Sequence, residues 1–166
     1  MSSRSVFCSS TAAACAQWQV MSKATGRVFS AASLKASRFH GLGLPVVMDA
    51  LSEGGSAVGV YTAVLASPTE RVICLACDMP FVTPRFLRTL AERSRGVDVF
   101  VPRHGEFLQP LCAVYGKGTL DAYLAFIRSG GRRIFDIYPD LNTGYLDMDD
   151  GGHGDLQRHH PDGHQL

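Results

Sequence analysis

Two aspartates in this sequence end apolar runs: Asp49 closes "LPVVMD", and Asp78 closes "RVICLACD" just before Met79 and Pro80. A carboxylate is a hard oxygen ligand suited to Mg²⁺, which binds through one or two carboxylates together with substrate phosphates. Between the two runs, Gly54, Gly55 and Gly59 form a glycine-rich turn that opens a helical stretch. Carboxylates and turn together describe a cradle for a nucleotide phosphate and its metal. Each part has a structural alternative. An aspartate ahead of a proline also caps a turn, and the glycines match neither G-x-x-x-x-G-K-[ST] nor G-x-G-x-x-G.

Two further groups resemble metal or redox sites. Cys74 and Cys77 make a C-x-x-C, but three residues apart on a strand they face opposite sides of a sheet, so buried structural thiols are the expectation. His159 and His160 could bind a transition metal, but a solvated polar tail with no second shell of supporting carboxylates is the reading.

The elements that must position these groups alternate. Val46 to Met48 reads as a strand ending at Asp49, "GGSAVGVYTAVLAS" as a glycine turn and helix, Arg71 to Cys77 as a strand, and Thr83 to Arg95 as a helix. That last helix has Thr83 as N-cap, Pro84 at its first position, an apolar face of Phe86, Leu87, Leu90 and Ala91, and Gly96 beyond its end. "VDVFVP" and "LQPLCAVYG" read as strands and "GTLDAYLAFIRSGG" as a helix. Strands alternating with helices predict an α/β fold with a mainly parallel sheet, and ligands bind at the carboxyl ends of such strands. Asp49 and Asp78 are expected there, at neighbouring strand ends. Beyond Tyr138 the periodicity stops.

The chain has 166 residues, 46% hydrophobic, with a formal net charge of +1. That suits one globular domain with a sizeable core. No basic block points to nucleic acid or an anionic membrane, and no apolar stretch nears the roughly 20 residues of a spanning helix. A small polar ligand is expected instead. Five cysteines without framework spacing favour a reducing compartment, read as the cytoplasm. The first 48 residues hold no Asp or Glu, and residues 1–37 are rich in Ser and Ala, which fits an organellar transit peptide or plain disorder.

Residues 42 to about 137, carrying "LPVVMDALSEGGSAVGVYTAVLASPTERVICLACDMPFVTPRFL" and "FVPRHGEFLQPLCAVY", resemble the molybdenum cofactor guanylyltransferase family. That family shows V-x-D, a G-P-L-A-G-like turn, a strand ending in A-C-D-M-P-F, and Q-P-L-x-A-x-Y. The resemblance implies a Rossmann-like nucleotidyltransferase fold that joins GMP from Mg·GTP to molybdopterin and releases pyrophosphate. It implies Asp78 as Mg²⁺ ligand near the GTP phosphates and Asp49 as a nucleotide contact. Gly55 to Gly59 stands in place of G-P-L-A-G, with Ser56 for the proline. Gln109, Pro110, Arg132 and Arg133 would line the pterin side, the arginines facing a phosphate, although surface arginines usually have no such role.

The family's opening strand and its L-A-G-G-x-S-x-R-M-G-x-x-K loop have no counterpart here, nor does its N-x-N-T-P element. A matching middle between unmatched ends is the pattern that reading-frame errors at each end leave. Residues 1–37 are accordingly expected as an unmatched segment, 38–143 as the nucleotidyltransferase-like domain and 144–166 as a Gly, Asp and His-rich tail. Without the loop's lysine, phosphate charge is less well neutralised and little or no turnover is expected. A cytidylyltransferase of the same pterin chemistry and a non-catalytic remnant remain open as readings. A missing central strand would also expose apolar edges and favour self-association unless residues within 1–37 fold back, "GRVFSA" being the expected substitute.

Overall fold

The computed structural model describes residues 17–22, 28–32, 46–76, 79, 82–148 and 156–158. Its strands are β1 (Gln17–Ser22), β2 (Val28–Ala32), β3 (Val46–Val47), β4 (Arg71–Ala76), β5 (Val99–His104), β6 (Phe107–Leu108), β7 (Cys112–Gly116), β8 (Thr143–Asp147) and β9 (Leu156–Arg158). The helices are α1 (Ser56–Ala66), α2 (Pro84–Arg93) and α3 (Leu120–Arg128). A 3-10 run, Ile134–Asp140, precedes β8.

One sheet carries the order β3-β2-β1-β4-β7-β5-β8-β9, with β6 paired to β5. It is an α/β sheet flanked by helices, as expected, but it is mixed and not mainly parallel. Among the described residues, only β2–β3 and β5–β8 pair in parallel. The β1–β2 hairpin enters antiparallel to β4, and β7 returns antiparallel between β4 and β5. Short connections turn the chain back on itself in both places, and that is what antiparallel pairing requires.

β4 is buried at Val72, Ile73, Cys74 and Leu75 because both its edges are paired, to β1 and β7. A strand covered on both faces reads as one continuous apolar run. Alternation then sorts its side chains. Val72 and Cys74, with Val99, Val101, Ala113 and Tyr115, face α1 and the 3-10 run. Ile73 and Leu75, with Phe100, Cys112, Val114 and Leu146, face Leu90 of α2. Helices thus cover both faces of the sheet.

The expectation of an absent strand beside β4 is corrected, because β1 occupies that edge from Trp18↔Ala76 to Ser22↔Val72. Val28–Ala32, within "GRVFSA" and its following alanine, is a strand, but it lies one place further out against β1. β4 therefore offers no open edge for self-association. The chain past Tyr138 also contributes: β8 crosses residue 143 and joins β5. His159 and His160 lie outside the described residues. Among the described residues, no helix is long and apolar enough to cross a membrane.

Candidate functional site

The pairings fix strand direction. β2, β3, β4, β5 and β8 run one way, and β1, β7 and β9 the other. The carboxyl ends of β3, β4, β5 and β8 therefore share one rim, where the chain continues to Asp49, Asp78, His104 and Asp147. α1 joins two strands that both run to that rim, so it runs back from it and starts there. α2 does the same. α3 spans about 14 Å toward the rim and the 3-10 run about 14 Å back, which brings Arg132 and Arg133 to the rim side.

Asp78, with Cys77, Pro80 and Phe81, lies outside the described residues, and only the end of β4 that leads to it is placed. Asp49 is half-buried beyond the end of β3, with its Oδ1 shielded from water. The next residue is pinned, since the Ala50 amide donates to Thr62 Oγ1 of α1 at 2.9 Å. The two aspartates do not follow adjacent strands: β2 and β1 intervene between β3 and β4. Three spacings of about 4.8 Å separate those strand axes by roughly 14 Å. The expectation of neighbouring strand ends is therefore corrected.

Gly55 caps α1 with φ 98° and ψ 171°, and Gly54 has φ 67°. Both are backbone conformations that side chains resist. Gly55 offers no side-chain cap, so the first amides of α1 face the rim with the positive end of the helix dipole behind them. Gly59 is buried in the helix, its amide donating to Gly55 O at 3.2 Å. The turn is therefore tightly formed with Ser56 in it.

Gln109, Pro110 and Leu111 lead into β7 at the same rim, and each of their three carbonyls accepts a hydrogen bond. Cys112 N donates to Gln109 O at 2.9 Å, Tyr115 Oη to Pro110 O at 2.6 Å, and Ala76 N to Leu111 O at 2.7 Å. The last bond fastens this bend to the end of β4, directly before Cys77 and Asp78. Gln109 is exposed there.

Arg132 and Arg133 are both exposed. Arg133 already holds Asp136 at 3.1 Å and stacks over Phe135 at 5.3 Å. A different cation sits in the sheet itself. Arg103, the last residue but one of β5, bonds Asp147 of β8 through Nε at 2.7 Å and lies 5.0 Å over the Tyr145 ring. The Asp147 hydrogen bond and charge hold it protonated above even its ordinary value, against some desolvation. Sequence reasoning passed over Arg103, although "VPRH" marks a basic residue at a strand end. It missed Asp147 because β8 itself was not expected.

Cys74 and Cys112 are buried free thiols on opposite faces of the sheet. Burial pushes Cys112 up to about 12 and Cys74 higher still. Such thiols are inert. Among the described residues no three His, Cys, Asp or Glu side chains gather as a metal cluster.

The family model of the MobA-like NTP transferase domain matches residues 10–142, and the chain belongs to that family. A probable molybdenum cofactor guanylyltransferase of Pelotomaculum thermopropionicum is 41% identical over 105 residues, covering 63% of this chain and 51% of the relative. The molybdenum cofactor guanylyltransferase of Vibrio parahaemolyticus is 30% identical over 100 residues, covering 58% and 50%. The chain thus spans about half the length of these curated relatives. Among solved structures, molybdopterin-guanine dinucleotide biosynthesis protein A of Archaeoglobus fulgidus superposes with TM-score 0.57 at 28% identity, over 63% of this chain and 53% of that one. A protein of Aquifex aeolicus superposes with TM-score 0.62 at 28% identity, over 69% and 61%.

Proposed function

We propose that this protein is a molybdenum cofactor guanylyltransferase, transferring GMP from GTP to molybdopterin with release of pyrophosphate. The observation that carries the reading is the 2.7 Å bond from Ala76 N to Leu111 O. It joins the end of the strand leading to Asp78 to the Gln109–Leu111 bend, so the stretches carrying A-C-D-M-P-F and Q-P-L meet at one rim. The names of the relatives in Pelotomaculum and Vibrio support the same substrates.

In this reading the free amides of α1 and the turn at Gly54 and Gly55 receive the nucleotide, and Asp49 orients it from beyond β3. Gln109 and Pro110 border the pterin, with Arg132 and Arg133 on the α3 side of the rim. Asp78 would hold Mg²⁺, and the donor set fits such an ion. A carboxylate is a hard oxygen donor, and Mg²⁺ bound through one or two carboxylates keeps its other positions for phosphate oxygens and water. When bound, the ion supplies charge neutralisation at the phosphates. A cytoplasmic setting belongs to the same reading, supported by two buried cysteines left as thiols.

The test is pyrophosphate release by the full chain with GTP, Mg²⁺ and molybdopterin, set against Asp78→Asn and against chelation by EDTA. Release that both perturbations abolish is expected. Undiminished release by Asp78→Asn would remove Asp78 from its role, and no release at all would refute the reading.

A further inference from the structure

The α1-facing side of the sheet contains three tyrosines, Tyr115, Tyr123 and Tyr138, all buried. Tyr115 and Tyr138 bring their hydroxyls to 2.7 Å, while Tyr115 Oη is 2.6 Å from the Pro110 carbonyl. A phenol has one proton to donate. A carbonyl can only accept, so the Tyr115 proton goes to Pro110 O. Tyr138 must then be the donor in the pair. The order is Tyr138 to Tyr115 to Pro110, a chain in which each bond polarises the next in a dry interior. Tyr138 is itself anchored, because Thr143 Oγ1 donates to its backbone carbonyl at 3.1 Å. Tyr123 packs edge-on against Tyr115 at 6.1 Å, but its hydroxyl donates to Ile134 O at 3.3 Å and makes no bond to the bend.

Among the described residues Tyr115 is the donor that holds the Pro110 carbonyl inward, while Gln109 O and Leu111 O are bound by Cys112 N and Ala76 N. Of the three carbonyls in the bend it alone depends on a side chain. Turned inward, it fixes the Pro110–Leu111 peptide and so the path by which the bend leaves Gln109, whose own amide donates to Pro102 O at 2.9 Å. Resting on the guanylyltransferase reading, we propose that Tyr115, polarised by Tyr138, is a positioning residue that holds the Gln109–Leu111 bend in the shape presenting Gln109 to the pterin substrate. Tyr115 acts from beneath the bend and touches no substrate.

The test compares full-length wild type, Tyr115→Phe and Tyr123→Phe. Both variants lose one hydroxyl from the same buried cluster, so a merely structural role predicts the same behaviour from both. Two quantities are measured: backbone amide exchange without ligands, and pyrophosphate release with GTP and Mg²⁺ saturating and molybdopterin varied. For Tyr115→Phe the Gln109 and Cys112 amides should exchange about fivefold faster, and KM for molybdopterin should rise about fivefold, the worth of one ordinary hydrogen bond. Its kcat and its KM for GTP should stay within about twofold of Tyr123→Phe, on the same estimate.

Should Tyr115→Phe not fold, Tyr138→Phe keeps the Pro110 bond but loses its polarising donor. It should then show the same changes at about twofold, cooperativity being the smaller effect. Wild type that releases no pyrophosphate would refute the guanylyltransferase reading, and amide exchange would still decide whether Tyr115 holds the bend. Exchange and KM that match Tyr123→Phe would overturn the proposal, and so would loosened amides with an unchanged KM.

Discussion

Replacing Gly55 by alanine isolates the cost of the backbone at the head of α1. At φ 98° and ψ 171° the residue occupies a region that is almost exclusively glycine's, where a side chain costs about 1–3 kcal/mol. A Cβ built there meets nothing within 4 Å, so no steric clash adds to the conformational cost. Alanine also restricts the unfolded chain, which offsets about 0.4–1 kcal/mol. The net expectation is a loss of about 1–2 kcal/mol, or a melting temperature lower by roughly 2–8 °C for a chain of this size. Gly54→Ala, at the milder φ of 67°, should cost less. Urea unfolding with a common slope measures both variants, and GTP titration shows whether the altered turn binds nucleotide less well. A Gly55→Ala variant as stable as wild type, or more stable, would mean that the turn does not adopt this conformation, and the proposed cradle would fall with it.

Leu90→Ala empties a fully buried position between α2 and the sheet and should cost about 2–5 kcal/mol by chemical denaturation; a loss under about 1 kcal/mol would show that α2 is not docked through it. Alkaline pH should destabilise the fold, because burial pushes Tyr115, Tyr123 and Tyr138 above the ordinary phenol range, as it does the Cys74 and Cys112 thiols. These groups stay protonated when folded and release protons when unfolded, so their contribution is complete below about pH 8.5 and lost as pH rises, by up to about 1.4 kcal/mol per pH unit for each group; urea midpoints that stay level from pH 7.5 to 10.5 would contradict this. With β4 paired on both edges, the full chain should sediment as a monomer at micromolar concentration. Removal of residues 1–37 should cause association and loss of stability, and a truncated chain as stable and monodisperse as the whole would show that β1 contributes nothing to β4.

Local signals carried much of the fold. Thr83 is the N-cap of α2, its Oγ1 accepting from Phe86 N at 3.2 Å, with Pro84 at the first position and Gly96 at φ 81° past the end. The apolar run of β4 was equally plain, since a doubly paired strand shows its burial in composition. Direction was not legible, because an apolar run looks the same whichever way it lies beside its neighbour. The helix–strand alternation suggested parallel pairing, while the β1–β2 hairpin and the return of β7 are set by tertiary packing. β8 escaped notice because its burial depends on β5: Gly144 lets the Phe100 ring pack where a Cβ would stand 2.8 Å from Cδ2. At the rim, Gln109 and Pro110 were legible as a motif, and Asp49 and Gly55 as chain punctuation. The roughly 14 Å between the strands of the two aspartates follows from strand order, which no local pattern encodes.

β5 and β8 pair in parallel from Val99↔Thr143 to Arg103↔Asp147, residues 44 positions apart in the chain. Contacts that distant close a large loop and form late. During synthesis β5 gains its β7 neighbour once Gly116 has emerged, yet its other edge stays open until Asp147 has emerged. Throughout that interval Val99, Phe100 and Val101 present an unpaired apolar strand edge, the kind of surface on which nascent chains associate wrongly or recruit chaperones. Any delay before Asp147 has emerged would prolong the exposure, whereas a delay after that would not. Yield from the cell is therefore expected to depend on how quickly β8 reaches β5.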